Sequence, residues 1–144
     1  MGREVTPSDL TITPRDRRFG RGAQTERWWN GGDPVATALY NALSATFPKG
    51  EAFFVESVHK FREGADPKLS AEIKAFVTQE VIHSREHVAF NKRAHQAGYD
   101  LSKLDAQVDY RLDLVRSRPP IARLAATMAL AQFTAILAHA LHAD

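Results

Sequence analysis

The sequence predicts an all-α protein, and three kinds of observation support this fold class. Asp33-Pro34 and Asp66-Pro67 are N-cap and first-turn pairs, which are typical of helix starts. Apolar residues after these pairs recur at steps of three and four, which places them on one helical face. No segment of any length shows the alternation typical of a half-buried strand. Long helices joined by short loops favour a bundle.

Glycine and proline residues set the predicted helix boundaries. Pro48, Lys49 and Gly50 predict a break, Gly98 ends the longest segment, and Pro119 with Pro120 begins the last one. The expected helices, in chain order, cover residues 33–46, 51–63, 66–97, 102–116 and 119–144.

The composition is that of an ordinary globular chain, with 44% apolar and 25% charged residues among 144. This length predicts one core, with residues 1–32 as an irregular basic N-terminal arm and residues 33–144 as a helical domain. The chain has no cysteine, which excludes a disulfide framework, a thiolate zinc site and a cysteine nucleophile. Any metal ion must therefore be bound by His, Asp or Glu.

The basic residues are concentrated near the N-terminus, where residues 1–28 carry six arginines against four acidic residues. This excess is smaller than the dense basic face of a nucleic-acid-binding protein, so no nucleic-acid partner is expected. The arm ends in Trp28 and Trp29, which we expect to pack back onto the helical body.

No apolar segment typical of a signal peptide is present near the N-terminus, so we expect a cytoplasmic protein. Residues 124–143 are uncharged and long enough to span a bilayer. They are also rich in alanine and interrupted by threonine, glutamine and histidine, which favours a helix buried in a soluble bundle over a membrane segment.

The longest predicted helix carries polar residues on its apolar face. Five of the eight positions on this face are apolar, and the other three are Glu80, His83 and His87. The complete set is Leu69, Ile73, Phe76, Glu80, His83, His87, Phe90 and Ala94. Because polar groups on a core face cost several kcal/mol when unpartnered, these must be paired, hydrogen-bonded or bound to a metal.

The preceding helix repeats this arrangement, with Glu51 among the apolar residues Phe47, Phe54, Val58 and Phe61. Glu80 and His83 form a Glu-x-x-His pair, whose spacing is found in carboxylate-bridged two-metal sites of helical bundles. Glu51 would add a carboxylate from the facing helix. A buried Glu–His ion pair that only fixes packing explains the same pattern, and periodicity does not decide between the two.

His87 and Glu86 have several possible roles. His87 could be a further ligand, a proton carrier or a hydrogen-bonded core histidine. Glu86, together with Arg85, could orient the metal ligands or belong to a surface charge network.

Several segments together resemble the bacterial family named predicted metal-dependent hydrolases, over about residues 30–142. They are Phe47–Phe54, Asp66–Leu69, Gln79–His87, Asn91 and Gly98–Asp100. The resemblance implies a ferritin-like bundle with a two-metal carboxylate site. It also implies that Glu51, Glu80 and His83 are metal ligands, with His87 close by.

The chain departs from this family in its last helix, where Ala131 and Gln132 stand in place of a glutamate and a histidine. Family members continue into a further helix with a second Glu-His set, whereas this sequence stops at Asp144. We therefore expect a truncated or divergent member whose bundle is incomplete in one chain.

The resemblance favours a metal-dependent hydrolase that acts on a small molecule the sequence does not specify. The expected cofactor is a divalent transition metal, iron first, with manganese or zinc as alternatives; it would lower the pKa of a bound water. His87 or Glu86 is then the candidate catalytic proton carrier. The same ligands would also suit a di-iron oxidoreductase. A metal-free interaction module, with Ala131 and Gln132 marking a lost site, is the third hypothesis.

The incomplete ligand set predicts a homodimer with the metal site at its interface. Each chain supplies Glu51 with Glu80 and His83, and a two-fold partner would duplicate that half. The alternative is a monomer in which the arm or the last helix fills the space left by a missing bundle helix.

Overall fold

A computed structural model describes residues 11–19 and 26–141 of the protein. Helices α1 to α4 span Pro34–His59, Pro67–Gln96, Ser102–Arg116 and Pro120–Leu141. No strand occurs among the described residues, and the predicted all-α fold class is confirmed. Residues 11–19 and 26–33 have no helix or strand.

Helix α1 passes through Pro48 without a break, so the predicted boundary between a first and a second helix is wrong. Pro48 lacks an amide donor, and its ring crowds the carbonyl group of Ser44. Buried side chains on both sides of the proline hold α1 against its neighbours. Ser44 is 5% exposed and Phe53 is fully buried. This packing outweighs the local cost of the proline.

Helix α1 is the centre of the fold, because it packs against each of the other three helices. Helix α3 also packs against α4, whereas α2 packs against α1 alone among the described helices. Phe53 and Phe54 of α1 form the core with Leu112 of α3. The side chains packed around them are Phe76, Val108, Val115, Ala126 and Ala131.

The predicted apolar face of α2 is partly buried along its length and exposed at its beginning. Ile73 and Ala94 are 7% and 3% exposed, and Phe76 packs against the core. Leu69 is 38% exposed, because it lies in the first turn of α2 beside the loop from α1.

Helix α4 lies on the surface, so the expectation of a buried last helix is wrong for the single chain. Arg123 and Thr127 are its buried residues. Arg123 fixes the helix to α1, with Nη2 2.7 Å from Glu56 Oε1 and its guanidinium 5.7 Å from the centre of the Phe53 ring. The large apolar side chains exposed along α4 are Ile121, Met128, Leu130, Phe133, Ile136 and Leu141. By length and mean hydropathy of 1.6, α4 is also long and apolar enough to cross a membrane.

Trp29 packs back onto the helical body, as its position at the end of the arm predicts. Its Nε1 donates a hydrogen bond to Asn41 Oδ1 at 3.0 Å. Its ring meets Phe90 edge-on at 5.2 Å between ring centres, and Tyr40 lies 6.0 Å away. Trp29 thereby connects the arm to both α1 and α2.

Removing the ring at the centre of the core should destabilise the protein strongly. We expect Phe53→Ala to lower the free energy of unfolding by about 3–5 kcal/mol, because this side chain is fully buried. Tyr110→Ala is the matched control on α3: its ring is 67% exposed, and the change should stay within about 0.5 kcal/mol. Urea denaturation measures both, and equal losses in the two variants would contradict the described core.

Candidate metal centre

Helices α1 and α2 bring Glu51, Glu80 and His83 together. One donor atom from each of these side chains lies within 4.8 Å of the other two. Among the described residues, these three side chains form the one cluster of carboxylates and imidazoles close enough to hold a metal ion. The turn-by-turn spacing of Glu80 and His83 on α2 places both opposite Glu51 on α1.

Glu51 is the most constrained of the three side chains. It is 2% exposed, and neither of its carboxylate oxygens has a hydrogen-bond partner. Burial, followed by the nearby Glu80 carboxylate, raises its pKa to about 8. Burial also raises the pKa of Glu80, to about 6. The centre therefore lacks a positive charge to match its carboxylates.

His83 closes the cluster on its solvent side. Its Nδ1 lies 3.9 Å from Glu51 Oε1, and about half of its side chain is exposed. Desolvation, followed by the positive charge of Arg15, lowers the pKa of His83. Both effects favour the neutral imidazole, which is the form that binds metals.

The donor set fits a divalent transition metal. Metal bonds to imidazole and carboxylate of about 2.0–2.2 Å place two donors on one ion at most about 4.4 Å apart. Donor atoms within 4.8 Å of one another thus need shifts of only a few tenths of an ångström to share an ion. A cation would also satisfy the unpartnered oxygens of Glu51. Two carboxylates and one imidazole suit iron, manganese or zinc.

His87 lies one turn beyond His83 and is held by three side chains. Asn91 Nδ2 donates to the Ser44 carbonyl oxygen at 3.2 Å, so Asn91 Oδ1 is free to accept from Ser44 Oγ at 2.8 Å. Since the hydroxyl has one proton, His87 Nδ1, 2.9 Å away, donates to Ser44 Oγ. Phe47 stacks on the imidazole at 4.3 Å between ring centres. This network leaves His87 Nε2 without a proton.

Glu86 and Arg85 fix residues 11–19, here called the N-terminal strap, to α2. Arg85 Nε donates to Glu86 Oε1 at 2.8 Å, and the Phe19 amide donates to Glu86 Oε2 at 3.1 Å. Arg85 Nη2 donates to Asp16 Oδ1 at 2.5 Å, and this bond lowers the pKa of Asp16. The Arg15 amide donates to Gln79 Oε1 at 2.8 Å. The charge network proposed for Arg85 and Glu86 therefore holds the strap beside the metal cluster.

A cavity of about 830 Å³ borders both His83 and His87. The strap forms one wall, α1 and α2 form the others, and Ala138 of α4 also lines the cavity. Arg15 and Arg17 of the strap line this cavity. The sequence places both arginines in the predicted irregular arm. Such a segment has no helical or strand periodicity, so the sequence does not predict which of its side chains face the helices.

Helix α4 adds no ligand at the positions where the family pattern has them. Ala131 packs against the core, and Gln132 is exposed. The structure therefore brings together Glu51, Glu80 and His83, places His87 beside them, and engages Glu86 in the strap contacts.

Comparison with known proteins identifies one family for the chain. The family described as predicted metal-dependent hydrolase matches residues 13–144, which include every residue of the cluster. No curated protein and no solved structure matches the chain. The family match extends from the strap through α4, so it covers the whole fold described above. The chain therefore belongs to the family of predicted metal-dependent hydrolases.

Proposed function

We propose that this protein is a metal-dependent hydrolase whose divalent cation is bound by Glu51, Glu80 and His83. The observation that carries the proposal is the burial of Glu51 with two unpartnered oxygens beside a second carboxylate. A site of this kind is costly unless a cation compensates it. A bound divalent cation would supply Lewis-acid chemistry, polarising the scissile group and lowering the pKa of a water molecule.

His87 is the proposed proton carrier. Its Nε2 is unprotonated in the network with Ser44 and Asn91, and its ring borders the cavity. Burial, followed by the charge of His83, lowers its pKa to about 4, so the imidazole is neutral at neutral pH and the lone pair of Nε2 is open. Glu86 is the weaker candidate, because both of its oxygens accept hydrogen bonds from Arg85 and the strap.

The burial of Glu51 favours a metal protein over the metal-free interaction module. An interaction module would gain nothing from an unpartnered carboxylate at 2% exposure. The di-iron alternative needs more donors than Glu51, Glu80 and His83 of one chain supply, because two-metal bundle sites use about four glutamates and two histidines, so it would require two chains to share one site.

We further propose that a second copy of this chain covers the exposed face of α4. The open side of the metal cluster supports this, since α2 packs against α1 alone among the described helices. Ala138 of α4 and His83 of the cluster line the same cavity, and α4 exposes several large apolar side chains. A homodimer formed there would bury apolar surface and bring two ligand sets to one interface.

Removing a ligand should abolish stoichiometric metal binding. We expect Glu80→Ala and His83→Ala to lose bound iron, manganese or zinc while keeping the helical circular dichroism spectrum. The measurement is the metal-to-protein ratio by plasma mass spectrometry after chelation, reloading and gel filtration. Glu63→Ala and His95→Ala are matched controls at exposed positions and should bind as the parent does. Undiminished metal content in both ligand variants would refute the assignment.

Acidification should remove a stabilising contribution of His87 from the metal-stripped protein, while Glu51 and Glu80, whose pKa values burial raises to about 8 and 6, change the stability in the opposite direction. The pKa of this histidine is about 4 in the folded protein, against 6.5 ordinarily, so the unfolded chain binds more protons between these values. The contribution of His87 to the free energy of unfolding is complete above pH 6.5 and is lost as pH falls towards 4. His83 lowers this pKa, and Glu86 opposes the effect.

We expect His87→Gln to gain stability relative to the parent as pH falls from 6.5 to 4, because the variant lacks the contribution that the parent loses; urea denaturation of the two metal-stripped proteins measures this difference. The control is His95→Gln on the exposed side of α2, which should keep the parent slope. Identical slopes for the parent and His87→Gln would contradict the assigned environment of His87.

The dimer is tested by mass in solution. Light scattering at micromolar concentration should give twice the chain mass of 16.0 kDa. Phe133→Glu, which places a charge on the 63%-exposed ring position of α4, should restore the monomer mass. Tyr110→Glu on exposed α3 should remain dimeric. A parent mass of 16.0 kDa with and without metal would exclude the dimer.

A further inference from the structure

The cavity beside the metal cluster has a defined chemical character. Its volume of about 830 Å³ lies in the range of small-molecule sites, about 300–1,000 Å³. Trp29, Tyr40, Phe47 and Phe90 supply aromatic rings to its wall. These rings are held by their own contacts, since Trp29 bonds to Asn41 and Phe47 stacks on His87. The wall is therefore a preformed apolar surface.

The charged lining of the cavity is mainly positive. Arg15, Arg17 and Arg93 line it, against one carboxylate, Glu86. The charge of Glu86 is already matched by Arg85, whose Nε donates to it at 2.8 Å. The arginines thus set the sign of the potential inside the cavity.

The strap fixes the position of two of these arginines. The Arg15 amide donates to Gln79 on α2, and the Arg17 carbonyl accepts from Arg85 Nη2 at 3.2 Å. These hydrogen bonds hold the backbone of Arg15 and Arg17, and both side chains line the cavity together with residues of α1 and α2. Arg15 lines the same cavity as His83, a residue of the metal cluster. The strap therefore brings two positive charges to the cavity that His83 also lines.

We propose that this cavity binds an amphipathic anion, with its apolar body on the aromatic wall and its carboxylate or phosphate group at Arg15 and Arg17. Guanidinium groups bind both kinds of anion through paired hydrogen bonds. The substrate class, an apolar molecule with an anionic group near the bond to be cleaved, rests on the proposed hydrolase function. Binding of the anion itself does not require the metal.

The test uses the tryptophan in the cavity wall as a reporter. The chain has two tryptophans, and Trp28 packs on Tyr99 instead of lining the cavity. Trp28→Phe leaves Trp29 as the sole tryptophan, so its fluorescence reports binding beside it. The metal-stripped protein is titrated with octanoate, octyl phosphate, octanol and octylamine, each below its micelle concentration.

We expect at least one of the two anions to bind ten-fold or more tightly than octanol, and octylamine to bind most weakly. Whichever of octanoate and octyl phosphate binds with the higher affinity shows whether the cavity prefers a carboxylate or a phosphate group. Arg15→Gln should weaken anion binding about ten-fold and leave octanol binding unchanged. Arg18→Gln is the matched control, because Arg18 lies on the same strap without lining the cavity. Equal affinity for octanol and both anions, or equal effects of Arg15→Gln and Arg18→Gln, would overturn the proposal.

Glu80→Ala separates this proposal from the metal assignment. The variant should lose metal binding and keep the anion affinity of the metal-stripped parent, since Glu80 does not line the cavity. Anion binding in a parent chain that takes up no metal would support the cavity proposal and refute the metal centre. Stoichiometric metal in a parent chain that binds no anion would refute the cavity proposal alone.

Discussion

The burial of the Glu51 carboxylate is the constraint around which this structure is arranged. A carboxylate at 2% exposure without hydrogen bonds must stay protonated or face a cation. Burial, followed by the Glu80 carboxylate beside it, raises the pKa of Glu51 to about 8, so without a cation Glu51 is protonated near neutral pH, and a divalent cation would displace that proton. Glu51 lies on α1, the helix with the most extensive packing, and this packing offsets the free-energy cost of burying the carboxyl group. The fold therefore stays stable with Glu51 buried in it.

The continuity of α1 connects the core to the metal cluster. Phe53 and Phe54 anchor the helix in the core, and Glu51 lies less than one turn before them. Pro48 lies between Glu51 and Ser44, the residue that holds His87. A proline at this point removes one backbone bond from the helix while tertiary packing keeps its path. The two functional parts of α1 are therefore positioned by one rigid element.

The sequence predicted the parts of the molecule that depend on helical periodicity. The steps of three and four on α2 correctly placed Glu80 and His83 opposite Glu51, because spacing along a helix determines which side chains share a face. The same reasoning failed at Pro48, where local propensity predicted a break and tertiary packing prevailed. The prediction that α4 is buried was also wrong. An apolar composition predicts that a helix needs a partner surface, but it does not show whether the same chain supplies that surface. Arg15 and Arg17 lie in an irregular segment, where no period predicts side-chain direction.

The attachment of the strap has a kinetic consequence. Its bonds to Gln79, Arg85 and Glu86 are exposed and mostly charge-assisted, and exposed ion pairs are weak and screened by salt. Segments held in this way open far more often than the core that supports them. Entry to the cavity can thus proceed through local detachment of the strap, with the bundle intact. Ionic strength would then act in two opposite directions, speeding exchange at the cavity while weakening the attraction that draws an anion into it.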